Sequence, residues 1–305
     1  MDHLSRFGRM AAVGAAAALL APVVAVSAAA AEAPVAAAPA ARPAAEPTTC
    51  AFQFPFSPAN FGNSTKIDNR FLPLAPGTRY VLEGRANRGG GPLPHRVEFT
   101  VTDLAKVIDG IPSRVILDKD LSEGQLQEAE LAFEAQDAAG RVWNTGEYPE
   151  EYENGVFVGA PNTWIAGLAK ARAGVGMRAN PRLGTQEYEQ GSAPKIDFLD
   201  CGKVFATGDH VCVPIGCFDN VLTVDERSPL DQASGHQRKL YAPGLGNIQI
   251  APVDDPEGET LVLTAVIALN AGQLTTARNQ ALQLEARAYQ VSPVYQKTPP
   301  AYRHP

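Results

Sequence analysis

Apolar and polar residues alternate along much of this chain. In Val97-Glu98-Phe99-Thr100-Val101-Thr102 every second residue is apolar, so one face can pack while the other meets water. Leu131, Phe133 and Ala135 alternate with Ala132 and Glu134 in the same way. Other β-rich runs are bounded by turn residues: Arg79 to Glu83, Ser113 to Leu117, Arg141 to Asn144, His210 to Val213 and Val221 to Glu226. Asp109-Gly110 separates two such runs and is the strongest short hairpin signal in the chain. Asp137-Ala138-Ala139-Gly140 reads as a longer turn between strands. Leu261 to Leu269 is almost continuously apolar and predicts a strand buried on both faces. The helical period appears once, in Leu274, Ala277, Ala281, Leu284 and Ala288. With Asn270 three residues before Gln273 as a capping box, it predicts a C-terminal helix over residues 271 to 289.

Composition agrees with the pattern. The 27 Gly and 25 Pro suit an antiparallel meander with short connections and disfavour a doubly wound α/β fold. The expected class is therefore mainly β with one C-terminal helix.

The start of the chain reads as a targeting segment. Arg6 and Arg9 precede the apolar run Met10 to Val26, and small residues around Ala28 and Ala31 offer cleavage sites. Pro22 interrupts the run, and no basic stop-transfer cluster follows it. Without an Arg-Arg pair, general secretion is expected over twin-arginine export. Cys50 lies too far downstream to be a lipidation site. Residues 32–49, mostly Ala, Pro and Glu, read as a disordered tether. The expected organisation is a signal peptide over 1–31, a tether over 32–49, one β domain over 50–292 and a loose tail over 293–305. The expected location is outside the cytoplasm, in the periplasm or the medium.

Charge and cysteines narrow the function classes. The formal net charge is -7, and no basic tract is present, which argues against a nucleic-acid partner. No integral membrane segment is expected once the signal is cleaved. Four cysteines, Cys50, Cys201, Cys212 and Cys217, are an even number in an exported chain, so two disulfides are expected over a metal site. Their pairing stays open. Cys212 and Cys217 flank Val213-Pro214-Ile215-Gly216, which looks like a hairpin turn.

Five segments form an ordered set: Ile67 to Leu74, Pro76 to Tyr80, Gln136 to Trp143, Glu151 to Gly155, and Val213 to Val221 with Tyr241 to Gly246 after it. The set resembles a group of uncharacterised exported actinobacterial and proteobacterial proteins, and pieces of it look like β-rich bacterial lipoprotein-like domains. The resemblance covers residues 60 to 250. It implies a meander curling into an open or half barrel, and it carries no activity and no catalytic residues. Cys217 departs from the usual pattern, where relatives have Ser or Thr, and this suggests an added disulfide.

Chemistry-bearing clusters are sparse. The histidines are scattered, with no His-x-x-x-His pair, and no Gly-x-Ser-x-Gly elbow occurs. No cofactor is expected. The conspicuous polar cluster is Glu147, Glu150, Glu151 and Glu153, with Tyr148, Tyr152 and Asn154. It reads as a solvated acidic loop, a calcium loop or a paired-carboxylate acid/base site. Asp68 and Asn69 read as pocket-rim residues or as an Asx turn. Trp143 and Trp164 read as core or rim anchors rather than ligand stackers. The candidate ligand-binding set is Asp68, Asn69, Trp143, Glu147, Glu151 and Tyr152. The leading expectation is a non-catalytic binding or envelope-associated β domain, with a small apolar or amphipathic ligand or an envelope component as partner. The alternatives are an exported hydrolase using Glu147 to Glu153 with Asp68 or His95, and a purely structural or interaction module.

Overall fold

The computed structural model describes residues 47–304. The expected signal peptide and most of the tether fall outside the described residues. Strands β1 (Ile67–Asp68) and β2 (Pro73–Leu74) form a small separate hairpin. An antiparallel meander follows: β3 (Thr78–Asn87), β4 (Pro92–Ile108), β5 (Ile111–Ser122), β6 (Gln125–Gln136) and β7 (Val142–Glu153). The short strands β8 (Val156–Gly159) and β9 (Trp164–Ile165) both pair with β7. A second meander runs through β10 (Arg172–Met177), β11 (Tyr188–Ala193), β12 (Phe198–Val213), β13 (Gly216–Arg227), β14 (His236–Ala242), β15 (Gly246–Val253) and β16 (Thr260–Ala268). Helix α1 (Ala271–Val291) and strand β17 (Tyr302–Arg303), paired with β4, complete the chain.

The sheet closes, whereas an open or half barrel was expected. β16 pairs with β3, and β10 returns to pair with β7, so β3–β7 and β10–β16 form a ring of twelve strands. Glycine allows the seam. Gly174 pairs with Asn144, and a Cβ there would lie 2.2 Å from the Gln190 carbonyl carbon. Closure also removes the unpaired edges that an open sheet would expose. At the β4–β5 turn, Asp109 (φ 47) and Gly110 (φ 81) both have positive φ, as a two-residue hairpin of primed type requires.

Two cores occupy opposite sides of the barrel wall. Val101, Ile116 and Ala132 are register partners pointing inward, with Leu82, Val224, Tyr241 and Leu263 around them. Val115 and Phe133 point outward, where Ala281, Leu284 and Ala288 of α1 cover them. The small residues on this helix face let the axis lie close to the sheet. The capping box forms as expected, with Gln273 N–H donating to Asn270 Oδ1 and Asn270 N–H to Gln273 Oε1, each at 2.9 Å.

The outer cover is local, which corrects the expectation for Leu261 to Leu269. Leu261 and Leu263 are buried, but Val266 and Ile267 are 40% and 36% exposed. The helix packs on β4, β5 and β6 and does not cover β16. The C-terminal residues are not a loose tail. Tyr295 is wholly buried against Tyr148 and Phe133, and β17 extends the sheet beside β4. Apolar burial and strand pairing hold a segment that its Pro content alone suggested would stay free.

The disulfides are Cys50–Cys201 and Cys212–Cys217. The first ties the start of the described chain to β12. The second joins cross-strand partners beside the β12–β13 turn.

Candidate ligand-binding site

The inward faces of β5, β6 and β7 carry acids. Asp118 stands directly opposite Glu130, Asp120 opposite Glu128, and Ala132 opposite Glu147. Like charges directly opposite on neighbouring strands are destabilising. Here they also face a barrel interior and not bulk water. Glu130 and Glu134 are each 8% exposed, so the polar half of the β6 alternation is buried, contrary to the expected dry and wet faces.

Asp118, Glu130, Glu134 and Glu147 line a cavity of about 140 Å³ inside the barrel. A cavity of about this size in an engineered protein holds benzene. One part of its wall is apolar, with Leu74, Tyr80, Leu82, Phe99, Tyr241 and Leu261. The other part carries Asp118, Glu130, Glu134, Glu147 and Glu226, with Lys239 as the cation among the lining residues. Lys239 is committed, since its Nζ lies 2.6 Å from Glu226 Oε2. The β1–β2 hairpin contributes Leu72, Pro73 and Leu74 to the lining. A narrower recess towards the β13–β14 loop shares Glu130 and Glu147 and adds Glu128, Ser228 and Asp231.

Two acids show how the interior treats charge. Burial, reinforced by the nearby Asp120 charge, pushes the Asp118 carboxyl up to about 7. Asp118 Oδ1 is itself buried without a hydrogen-bond partner. Burial also raises Glu128 well above the usual carboxylate range, with Asp120 and Asp118 adding repulsion. Glu147 is fixed in place by two donors: Asn144 Nδ2–H at 2.7 Å and Trp164 Nε1–H at 2.9 Å.

A buried ionic quartet lies beside this acidic wall. Arg88 folds back from the β3–β4 turn so that Nη2 donates to Asp120 Oδ2 at 2.5 Å. His95 Nδ1 lies 3.3 Å from Asp120 Oδ1, and its Nε2 lies 2.8 Å from Glu259 Oε1. Burial pulls the imidazole down, but the Glu259 hydrogen bond and the Asp120 charge outweigh it and raise His95.

This arrangement makes a pH prediction. Asp118 has its ordinary value of 3.8 in the unfolded chain and about 7 when folded. Between these values the folded state holds the extra proton, so stability falls as pH rises through that window. His95, also raised, stabilises fully at low pH and loses that contribution as pH rises through its folded value, which acts in the same direction. Asp118→Asn is expected to remove about 2 kcal/mol of the stability lost between pH 5 and pH 8, allowing for the part of its surface that meets the cavity. Urea denaturation of both proteins across that range measures it, and equal pH slopes would refute it.

The structure separates the six residues marked in the sequence. Glu147 lines the cavity. Asp68 is exposed, with its carboxylate 2.9 Å from Lys66 Nζ. Asn69 makes the Asx turn: its Oδ1 accepts from Phe71 N–H at 2.8 Å and Leu72 N–H at 3.1 Å. Trp143 is buried outside the barrel against Phe56 and Phe61, and its Nε1–H donates to Asp137. Glu151 accepts from Asn162 Nδ2–H at 3.1 Å. Tyr152 donates to Glu150, which also pairs with Arg287 of α1. The glutamates of this segment diverge: Glu147 points inward, Glu150 outward under α1, and Glu153 into solvent. The segment therefore does not bring its four glutamates to one point.

Sequence reasoning missed Asp118, Glu130, Glu134, Glu226 and Lys239. Their signal was present in Asp118-x-Asp120 and Glu128-x-Glu130, acids at strand period within β-rich runs. It reads as a solvated face until the ring closes.

No protein-family model matches the chain, and no curated protein matches it. Two solved structures align with 65% of this chain and 99% of their own length. One is described as a "putative exported protein with YmcC-like fold" from Bacteroides fragilis, 12% identical with a TM-score of 0.32. The other is described as a "putative lipoprotein" from Parabacteroides distasonis, 15% identical with a TM-score of 0.29. Likenesses this loose assign no role.

Proposed function

We propose that this is an exported, non-catalytic binding protein whose barrel interior takes a small amphipathic molecule bearing a protonated amine. The observation that carries the reading is the divided cavity: an apolar wall facing five carboxylates, with one lysine already paired. A concave, mostly apolar pocket with a few convergent polar groups is the usual form of a small-molecule site. Here most of those polar groups are acceptors. Asp118 Oδ1 lacks a hydrogen-bond partner, and an ammonium group would supply one. Export is supported by the two disulfides, since such bonds persist in oxidising compartments. Among the described residues no helix is long and apolar enough to cross a membrane.

The test compares hexylamine, hexanol and hexanoate by titration calorimetry at pH 7. Hexylamine is expected to bind at least about tenfold more tightly than the other two, a charge-assisted hydrogen bond being the difference. Glu130→Gln should weaken hexylamine without strengthening hexanoate to the same level. Equal binding of all three, or preference for hexanoate, would overturn the amine reading.

A further inference from the structure

Away from the barrel interior, the β12–β13 hairpin end places four reactive side chains together. Cys212 and Cys217 are direct cross-strand partners, disulfide-bonded and both exposed. His210 is two residues before Cys212, and its Nε2 lies 3.6 Å from Cys212 Sγ. On the paired strand Asp219 receives the other imidazole nitrogen, with Nδ1 2.6 Å from Oδ1. Here is a sulfur, an imidazole and a carboxylate in line, each fixed by the one beyond it. The other disulfide has no such setting: Cys201 is wholly buried and Cys50 only partly exposed.

We propose that Cys212–Cys217 is a thiol–disulfide exchange site, with Cys217 as the attacked sulfur, Cys212 as the leaving sulfur and His210 as its proton donor. Its co-reactant is an external dithiol. Geometry assigns the roles. Asp219 holds Nδ1–H, so Nε2 is turned towards Cys212, the sulfur that must accept the proton. A thiolate of the dithiol attacks Cys217 Sγ, and a new S–S bond forms as the Cys212–Cys217 bond breaks. The electron pair goes to Cys212 Sγ, which takes the proton from the imidazolium Nε2–H. The dithiol's second thiolate then attacks the mixed disulfide, releasing Cys217 as thiolate and leaving the dithiol as a cyclic disulfide. Two electrons pass from the dithiol to the protein. Exchange rates depend on access, on which sulfur is attacked and on how well the leaving thiol is stabilised, and all three are supplied here. Asp219 is the positioning residue. Among the described residues, Asp219 and the two sulfurs lie beside His210 at this hairpin end.

The test uses the folded protein with dithiothreitol, trapping free thiols by alkylation and locating them by mass spectrometry. Cys212 and Cys217 are expected to open at least about tenfold faster than Cys50 and Cys201. With glutathione in place of dithiothreitol, the trapped mixed disulfide is expected on Cys217. This readout needs no variant. His210→Gln should slow opening about tenfold at pH 6. Asp219→Asn should fall between the wild type and His210→Gln. An adduct on Cys212, equal opening of both disulfides, or an unchanged opening rate in His210→Gln would each overturn the proposal.

Discussion

Replacing Cys50 and Cys201 together by alanine is expected to lower the unfolding free energy by about 5 kcal/mol. The two residues are 151 apart in sequence, and loop-closure entropy grows with the logarithm of that separation. The bond does more than close a loop. It anchors the segment whose Phe54, Phe56 and Phe61 pack on the outer core around Trp143 and Tyr188. The same replacement at Cys212 and Cys217, only 5 residues apart, should cost about 2 kcal/mol. Denaturation in urea, with both double variants measured beside the wild type, gives the comparison. If the two variants lose equal stability, the long-range bond is not the main staple of this fold.

Lys106→Met is expected to cost about 3–5 kcal/mol, because it strands a buried carboxylate. Lys106 is wholly buried on β4, with its Nζ 2.8 Å from Glu285 Oε1 of α1. The same ammonium donates to Tyr289 Oη at 3.0 Å and to the Pro299 carbonyl at 2.6 Å, and it lies 4.3 Å from the Tyr295 ring centroid. One side chain therefore joins the sheet, the helix and the C-terminal segment. Glu285 is 5% exposed, and the Ala301 N–H that also donates to it at 2.9 Å does not neutralise it. The double variant Lys106→Met with Glu285→Gln removes both charges and should recover a large part of the loss. A double-mutant cycle measures that coupling. Simple additivity of the two single variants would show that the pair carries no special burden. Since Lys106 reaches Pro299, the variant should also speed proteolysis of the C-terminal residues in the native state.

Both effects depend on contacts between residues far apart in sequence, and the sequence itself registered them unevenly. The even cysteine count pointed to two disulfides, but three pairings were open. A lone Lys in an apolar run, Leu104-Ala105-Lys106-Val107-Ile108, gave no hint of a partner that lies 179 residues on. The proline-rich C-terminus looked loose because proline content reports local preference. Its order comes from Tyr295 filling a space between sheet and helix.

The candidate site shows the same division. Glu147 stood out because it belongs to a dense run of glutamates, yet Glu150 and Glu153 in that run point elsewhere. In a strand, adjacent residues face opposite sides, so a sequence cluster is split between the cavity and the outer wall. Polar residues that share the cavity with Glu147 from the far meander include Gln190 of β11, Glu226 of β13 and Lys239 of β14. Proximity in the chain is therefore a poor guide to proximity in a barrel.

What the sequence determined by itself was whatever rests on short-range chemistry. The alternation produced strands, Asp109-Gly110 produced the tight hairpin, and the Leu/Ala stripe with Asn270 and Gln273 produced α1. Asn69 made its Asx turn from local hydrogen bonds. What only the tertiary structure decided was which face of each strand is the inside. Closure of the ring by β10 against β7 turned Asp118 of β5, Glu130 and Glu134 of β6 and Glu147 of β7 inward and put apolar neighbours such as Val115 and Phe133 outward beneath the helix. A period of two marks two faces but does not say which is enclosed, because enclosure is settled by strand pairing between residues far apart in the chain.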